Sequence, residues 1–255
     1  MNLKETGAFV SGGASGLGEA TARLLVERGA RVAIADVNDE KAEALASELG
    51  DAGHALHCDV TNEDAVGDAV ERAVDALGGL RLVVGCAGIG WAERTVSKRG
   101  PAQLDAYERV VQVNLIGMFN VLRLGAAAMN DNGPDAEGER GAVVMTASIA
   151  AFDGQIGQIA YSASKGGIVG MTLPAARDLS TRGIRVCSIA PGPFDTPLLD
   201  VVSEEARTAV GKTIPFPPRL GRPSEYARLA CEIAENPMLN GETIRLDGAY
   251  RMPPR

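Results

Sequence analysis

Ala8-Phe9-Val10-Ser11-Gly12-Gly13-Ala14-Ser15-Gly16-Leu17-Gly18 decides the fold. A short apolar run enters a glycine-rich turn, and an amphipathic stretch follows, residues 18–28, closed by Gly29. Glycines at 12, 16 and 18 permit a tight turn and let backbone N–H groups approach a pyrophosphate at the positive end of a helix. Glycine-rich turns are common in loops. The strand-like run before this one and the helical pattern after it mark a dinucleotide site. The spacing is G-x-x-x-G-x-G, distinct from the G-x-G-x-x-G of most two-domain dinucleotide enzymes.

The same alternation continues outward. Candidate strands cover 8–10, 32–36, 55–60, 82–86, 142–146, 184–189 and 242–246, short, rich in Val and Ile, and bounded by Gly or Asp. Amphipathic stretches such as 63–77 and 104–129 separate them and are long enough for right-handed crossovers, so consecutive strands should be parallel. The pattern predicts an α/β fold with a doubly wound parallel sheet. No linker divides the chain. Residues 130–140, rich in Gly, Asp and Glu, read as a solvated surface loop, and proline-rich 191–222 as a mobile substrate lid.

Bulk properties exclude several classes. The formal net charge of −8 argues against a nucleic-acid binder that relies on phosphate contacts. Four widely spaced cysteines without a CxxC pair read as reduced thiols, which suits a cytoplasmic setting. His54 and His57 alone predict no metal site. The first apolar run starts too early for a leader segment, and no uninterrupted apolar stretch approaches ~18 residues, so no membrane span is expected.

Asp36 closes the second candidate strand, where a carboxylate can accept both ribose hydroxyls of NAD and repel the 2′-phosphate of NADP. Asp59-Val60 and Cys86-Ala87-Gly88, at the ends of the third and fourth strands, are placed for the adenine edge and ribose. Tyr161 and Lys165 lie four apart, on one face if helical. A cation about 4 Å from a phenol supplies roughly 4 kcal/mol at an effective dielectric near 20, enough to lower its pKa by about three units. Such a pair would move a proton on and off an alcohol oxygen at neutral pH. Ser162 and Lys165 also satisfy S-x-x-K, although no S-D-N or K-T-G follows.

Gly12-x-x-x-Gly16-x-Gly18, Asn114, Ser148, Tyr161-x-x-x-Lys165 and Pro191-Gly192 occur in the order and spacing of the short-chain dehydrogenase/reductase family, which the chain resembles over essentially its whole length. The resemblance implies a single Rossmann-like domain over 1–255, a seven-stranded parallel sheet and a homotetramer. It implies Tyr161 as general acid/base, Lys165 as the group that lowers its pKa and holds the nicotinamide ribose, Ser148 as hydrogen-bond partner of the reacting oxygen, and Asn114 as holder of a relay water. Ser15, Leu17, Asp36, Asp59, Val60, Cys86 and Phe194 match its NAD-contacting positions, beside Gly88, and Thr196 matches one near the carboxamide. Gln155, with Ser148 and Tyr161, is expected at the substrate. Stretches 147–158, 160–174, 214–221 and 240–249 look most like members that act on short 3-hydroxyacyl-CoA esters and, as side substrates, hydroxysteroids. Arg94, Lys98 and Arg99 form a basic cluster that could meet CoA phosphates or simply face solvent. A ketoacyl reductase, disfavoured by Asp36, and a non-catalytic scaffold are the rival readings. Two positions depart from the family pattern: Ser11 stands for Thr, and Gly85 for an Asn thought to brace the fourth strand.

Overall fold

A computed structural model describes residues 1–199 and 203–254. Its main sheet comprises β1 (Gly7–Ser11), β2 (Arg31–Asp36), β3 (Gly53–His57), β4 (Leu82–Gly85), β7 (Gly141–Thr146), β8 (Ile184–Pro191) and β9 (Thr243–Leu246). A separate two-stranded hairpin pairs β5 (Val96–Ser97) with β6 (Gly100–Pro101). The seven main strands are all parallel, in the order β3-β2-β1-β4-β7-β8-β9. This is the doubly wound, Rossmann-like arrangement that the alternation predicts. The strand order reverses between β1 and β4, so their carboxyl ends open onto the crevice where such sheets bind ligands.

Strand composition follows from burial on both faces. Phe9, Ala33, Val83 and Val143 point to one face, against α3 (Glu63–Leu77), α5 (Gly117–Asn130) and α7 (Ile159–Ser180). Their neighbours Val10, Ile34, Val84 and Val144 point to the other, against α1 (Gly16–Glu27), α2 (Asp39–Leu49) and α9 (Pro223–Glu235). Neither face of a central strand meets water, so these strands read as continuous apolar runs.

Several boundaries differ from the pattern. The third strand ends at His57, not at 60, because Asp59 Oδ1 accepts the Thr61 N–H and hydroxyl, and Asn62 caps α3 through Ala65 N–H. The 104–129 stretch becomes α4 (Leu104–Val111), one turn of π-helix at Gln112–Ile116, and α5. This combined helix, Leu104–Asn130, is long and apolar enough to cross a membrane, contrary to the expectation from apolar runs. Single polar residues such as Asn114 and Asn120 hid its length; half of the apolar window is buried in the protein, as in a core helix.

The 130–140 loop is not solvated throughout. Glu139 is buried, and its carboxylate accepts Arg185 Nε and Nη2 at 2.9 and 2.7 Å, closing the end of the sheet opposite the crevice. The expected lid is partly ordered: a 3-10 turn at Pro197–Leu199, α8 (Glu204–Thr213), then a turn into α9. Residues 200–202 of that stretch lie outside the described residues.

Candidate active site

At the crevice, the glycines are fixed by close approach. A Cβ on Gly18 would lie 2.1 Å from Gly12 O, and one on Gly12 would lie 2.6 Å from Ala87 N. Ser15 is the N-cap of α1 yet makes no side-chain capping bond, and Leu17 packs on the core below. The helix's first N–H groups therefore face the crevice without a side-chain acceptor. Thr196 and Pro197 reach over this loop, 3.4 Å from where a Cβ of Gly16 would sit. Asp36 uses both carboxylate oxygens: Oδ2 accepts Ala14 N–H and Oδ1 accepts Asn38 N–H, each at 3.0 Å. Val60 is buried where Gly117 leaves room for its side chain, and Asp59 lies beside it at the crevice rim.

Three segments deliver the polar side chains expected at the centre. Asn114 is on the π turn, a helix irregularity frequent at functional sites. Its amide is held at both ends: Oδ1 accepts Ile89 N–H at 2.8 Å and can accept once more, while Nδ2 donates to Ile89 O and Ser164 Oγ at 2.9 and 3.2 Å. A Cβ on Gly88 would lie 3.2 Å from Asn114 Oδ1 and 3.5 Å from Lys165 Nζ, so glycine lets the backbone run between them. Ser148 follows β7; its Oγ accepts Ala150 N–H at the start of α6 (Ala150–Asp153), and the hydroxyl is close enough to the Tyr161 phenol to favour its ionised form. Tyr161 is in the first turn of α7 and Lys165 one turn later.

The expected electrostatics of that pair are reversed. Burial holds the Tyr161 phenol above its ordinary value, opposed only by the Ser148 bond. Burial also pulls Lys165 down to about 8, with the Cys86 thiol acting weakly against it. The physical reason is desolvation, which disfavours phenolate and ammonium alike. Lys165 Nζ sits 5.8 Å from the Tyr161 ring centroid and donates to Thr146 O at 2.8 Å.

Three further residues take definite places in the structure. Gln155 Nε2 donates to Pro253 O at 3.1 Å, so its amide is tied to the C-terminal segment rather than free for substrate. The Phe194 ring belongs to the core, where Gly221 makes room for it. Ser162 Oγ is buried without a partner against Gly154, and Lys165 is engaged elsewhere, so the S-x-x-K pair is not an activated nucleophile. The two family departures meet each other. Ser11 Oγ is buried without a partner, 3.8 Å from where a Gly85 Cβ would sit, and Met118 Sδ fills the remaining space. No sequence pattern pointed to Thr146, Ser164 or Tyr226, which hold the central residues from behind.

A family model described as short chain dehydrogenase matches residues 6–207. The chain belongs to the short-chain dehydrogenase family. This dehydrogenase is 53% identical over 254 residues to 3-hydroxyacyl-CoA dehydrogenase type-2 of Drosophila melanogaster, covering 99% of this chain and 100% of that one. It is 51% identical to the Homo sapiens protein of the same name, covering 99% and 98%. The crystal structure of 3-hydroxyacyl-CoA dehydrogenase type-2 from Mycobacterium avium superposes with a TM-score of 0.94 at 48% identity, covering 98% of this chain and 97% of that one. This dehydrogenase is accordingly an oxidoreductase.

Proposed function

We propose that this dehydrogenase interconverts a short or branched 3-hydroxyacyl-CoA ester and its 3-ketoacyl form, with NAD as hydride carrier. The observation that carries the reading is the convergence of Ser148, Tyr161 and Lys165 at the carboxyl edge of the sheet, beside a glycine cradle too close-packed for any side chain at 12 or 18. The cradle fits a dinucleotide: the α1 N–H groups would hold its pyrophosphate, Asp36 its adenine ribose, and Lys165 its nicotinamide ribose. When bound, the nicotinamide supplies the hydride acceptor for the carbinol carbon. Asp36 favours NAD over NADP by charge.

Tyr161 holds a proton at its phenolic oxygen at neutral pH, since burial raises its pKa. In the reducing direction it gives that proton to the carbonyl oxygen; in the oxidising direction it must first release it, with the Lys165 ammonium offsetting the charge. The Ser148 hydroxyl hydrogen-bonds the same substrate oxygen and orients it. Asn114 fixes the Ile89 backbone and the Ser164 hydroxyl, which in turn donates to Tyr161 O at 2.7 Å. A relay water at Asn114 remains part of the proposal.

Support for the thioester comes from the relatives' names and the surface beside the site. Arg94, Lys98 and Arg99 are exposed on and around the β5–β6 hairpin, whose leading residue Glu93 donates its N–H to Gly157 O just before α7. That places a basic arm next to the catalytic helix, where CoA phosphates could meet it. Exposed Trp91, Ile156 and Leu198 give the surroundings an apolar character, which keeps a hydroxysteroid as the second reading. An apolar groove of about 570 Å³ between α5 and α7 suits the homotetramer implied by the family. Turnover of a panel of 3-hydroxyacyl-CoA esters and hydroxysteroids with NAD and NADP, followed by reduced-cofactor absorbance, tests the assignment. A preference for steroids, or a lower KM for NADP, would overturn the corresponding part.

A further inference from the structure

A hydroxyl on the far side of the sheet completes the site. Tyr226, in the first turn of α9, is wholly buried beneath the carboxyl ends of β4 and β7. Its hydroxyl lies 2.7 Å from Thr146 Oγ1 and 3.7 Å from Cys86 Sγ. Thr146 Oγ1 lies 2.5 Å from Gly85 O, and the Thr146 carbonyl accepts from Lys165 Nζ at 2.8 Å.

Proton inventory fixes the directions. A carbonyl only accepts, so Thr146 spends its single hydroxyl proton on Gly85 O. The Tyr226 hydroxyl must then donate to Thr146 Oγ1, and the Cys86 thiol is left to donate to Tyr226 at 3.7 Å or to Thr146 Oγ1 at 3.6 Å. The result is one directed chain, Tyr226 to Thr146 to Gly85 O, across the two strand ends that carry the site. It ties β7 to β4 at Gly85, beside the space that Met118 fills. Accepting from Tyr226 while donating to Gly85 O holds the Thr146 side chain, and the carbonyl of the same residue accepts from the Lys165 ammonium.

We propose that Tyr226 and Thr146 are positioning residues for Lys165: they hold the Thr146 peptide so that the ammonium stays beside Tyr161 and the strand ends stay in register. The proposal rests on the role given to Lys165 above. Tyr226→Phe removes only the hydroxyl, Thr146→Val removes the relay at constant shape, and Thr146→Ser keeps both bonds and serves as the rescue.

The readouts are the pH profile of kcat for alcohol oxidation, KM for NAD and Tm, with the best alcohol from the substrate panel. Tyr226→Phe and Thr146→Val are expected to lower kcat about tenfold and move its acidic limb up by about half a unit to one unit, with KM for NAD within about twofold. Thr146→Ser should match the parent, and the double variant should be no worse than the poorer single one. Lower Tm with an unmoved pH profile would overturn the proposal and leave a purely structural role. So would an unchanged kcat in Tyr226→Phe, the arm that decides if Thr146→Val does not fold. A Tyr161→Phe control separates the two levels. If that variant turns over normally, the acid/base reading fails; if it is dead while the brace variants behave as the parent, only the present inference fails.

Discussion

Asp36→Asn should redistribute cofactor preference, and both halves of the effect can be worked out from the crevice. Asp36 accepts two backbone N–H groups, from Ala14 and Asn38, one on each oxygen. Asparagine has one carbonyl acceptor, so one of those N–H groups meets an NH2 instead, and the charge that strengthens the ribose hydrogen bonds is gone. A hydrogen bond to a charged group contributes about 1.5–3 kcal/mol, so NAD should bind about tenfold more weakly or worse. The 2′-phosphate of NADP carries about −1.5 to −2 at neutral pH. At about 5 Å from the carboxylate, each unit of that charge is repelled by about 0.8 kcal/mol in bulk water and about 3 kcal/mol at an effective dielectric near 20. Asp36 is half-exposed, so the lower part of that range applies. Relief of about 2 kcal/mol corresponds to roughly a thirtyfold gain for NADP. The ratio of NAD to NADP affinity should therefore fall by about two orders of magnitude. Fluorescence titration with NADH and NADPH, beside kcat/KM for each oxidised cofactor, measures it. A ratio that moves less than about threefold, or a parent enzyme that prefers NADP, would refute the electrostatic argument.

The remaining predictions concern stability and the cradle. Lys165→Met should abolish turnover and yet stabilise the fold at neutral pH. A lysine lowered to about 8 binds fewer protons folded than unfolded between there and its ordinary value of 10.5, so stability rises with pH across that window and the full penalty stands below it. That penalty is worth about 3 kcal/mol, less the lost bond to Thr146 O, so chemical denaturation should show a gain of about 1–3 kcal/mol at pH 7 that fades towards pH ~10.5. Glu225, lowered to about 2 chiefly by its bond with Arg219, also accepts Arg222 N–H at the start of α9. With the pair partly solvated, Glu225→Gln should cost about 1 kcal/mol at neutral pH, and the difference should vanish as acid protonates the carboxyl between its ordinary value of 4.5 and about 2. Gly18→Ala should destroy NADH binding, because its methyl meets Gly12 O at 2.1 Å, whereas Gly67→Ala on α3, with open space around it, should leave binding intact.

What the sequence displayed were features with local causes. The β1 turn was legible because backbone packing at Gly12 and Gly18 admits no other residue, and the central strands because burial on both faces leaves only apolar choices. Tyr161 and Lys165 were legible as a pair because helical spacing alone puts them on one face. Their pKa directions were not, because they depend on desolvation by the whole surrounding fold. Asp59 looked like a strand residue until Thr61 and Asn62 were seen to begin the next helix from it. Gln155 looked available because nothing near it in sequence foretells its bond to Pro253, 98 positions away. Tyr226 had no local signature either: it sits amid an ordinary apolar helix face and acquires its meaning from Thr146, 80 positions upstream. Glu139 misled in the opposite sense, since an acidic loop residue is ordinarily solvated, and only Arg185 on a neighbouring strand gives it reason to be buried.

The central claim is that the Tyr161 hydroxyl transfers the proton while NAD takes the hydride. The direct measurement compares NADH formation by the parent and by Tyr161→Phe, with a short 3-hydroxyacyl-CoA ester and NAD, alongside NADH binding to each. The account predicts that turnover falls by about two to four orders of magnitude while NADH affinity stays within about twofold. Near-parental turnover by Tyr161→Phe would contradict it.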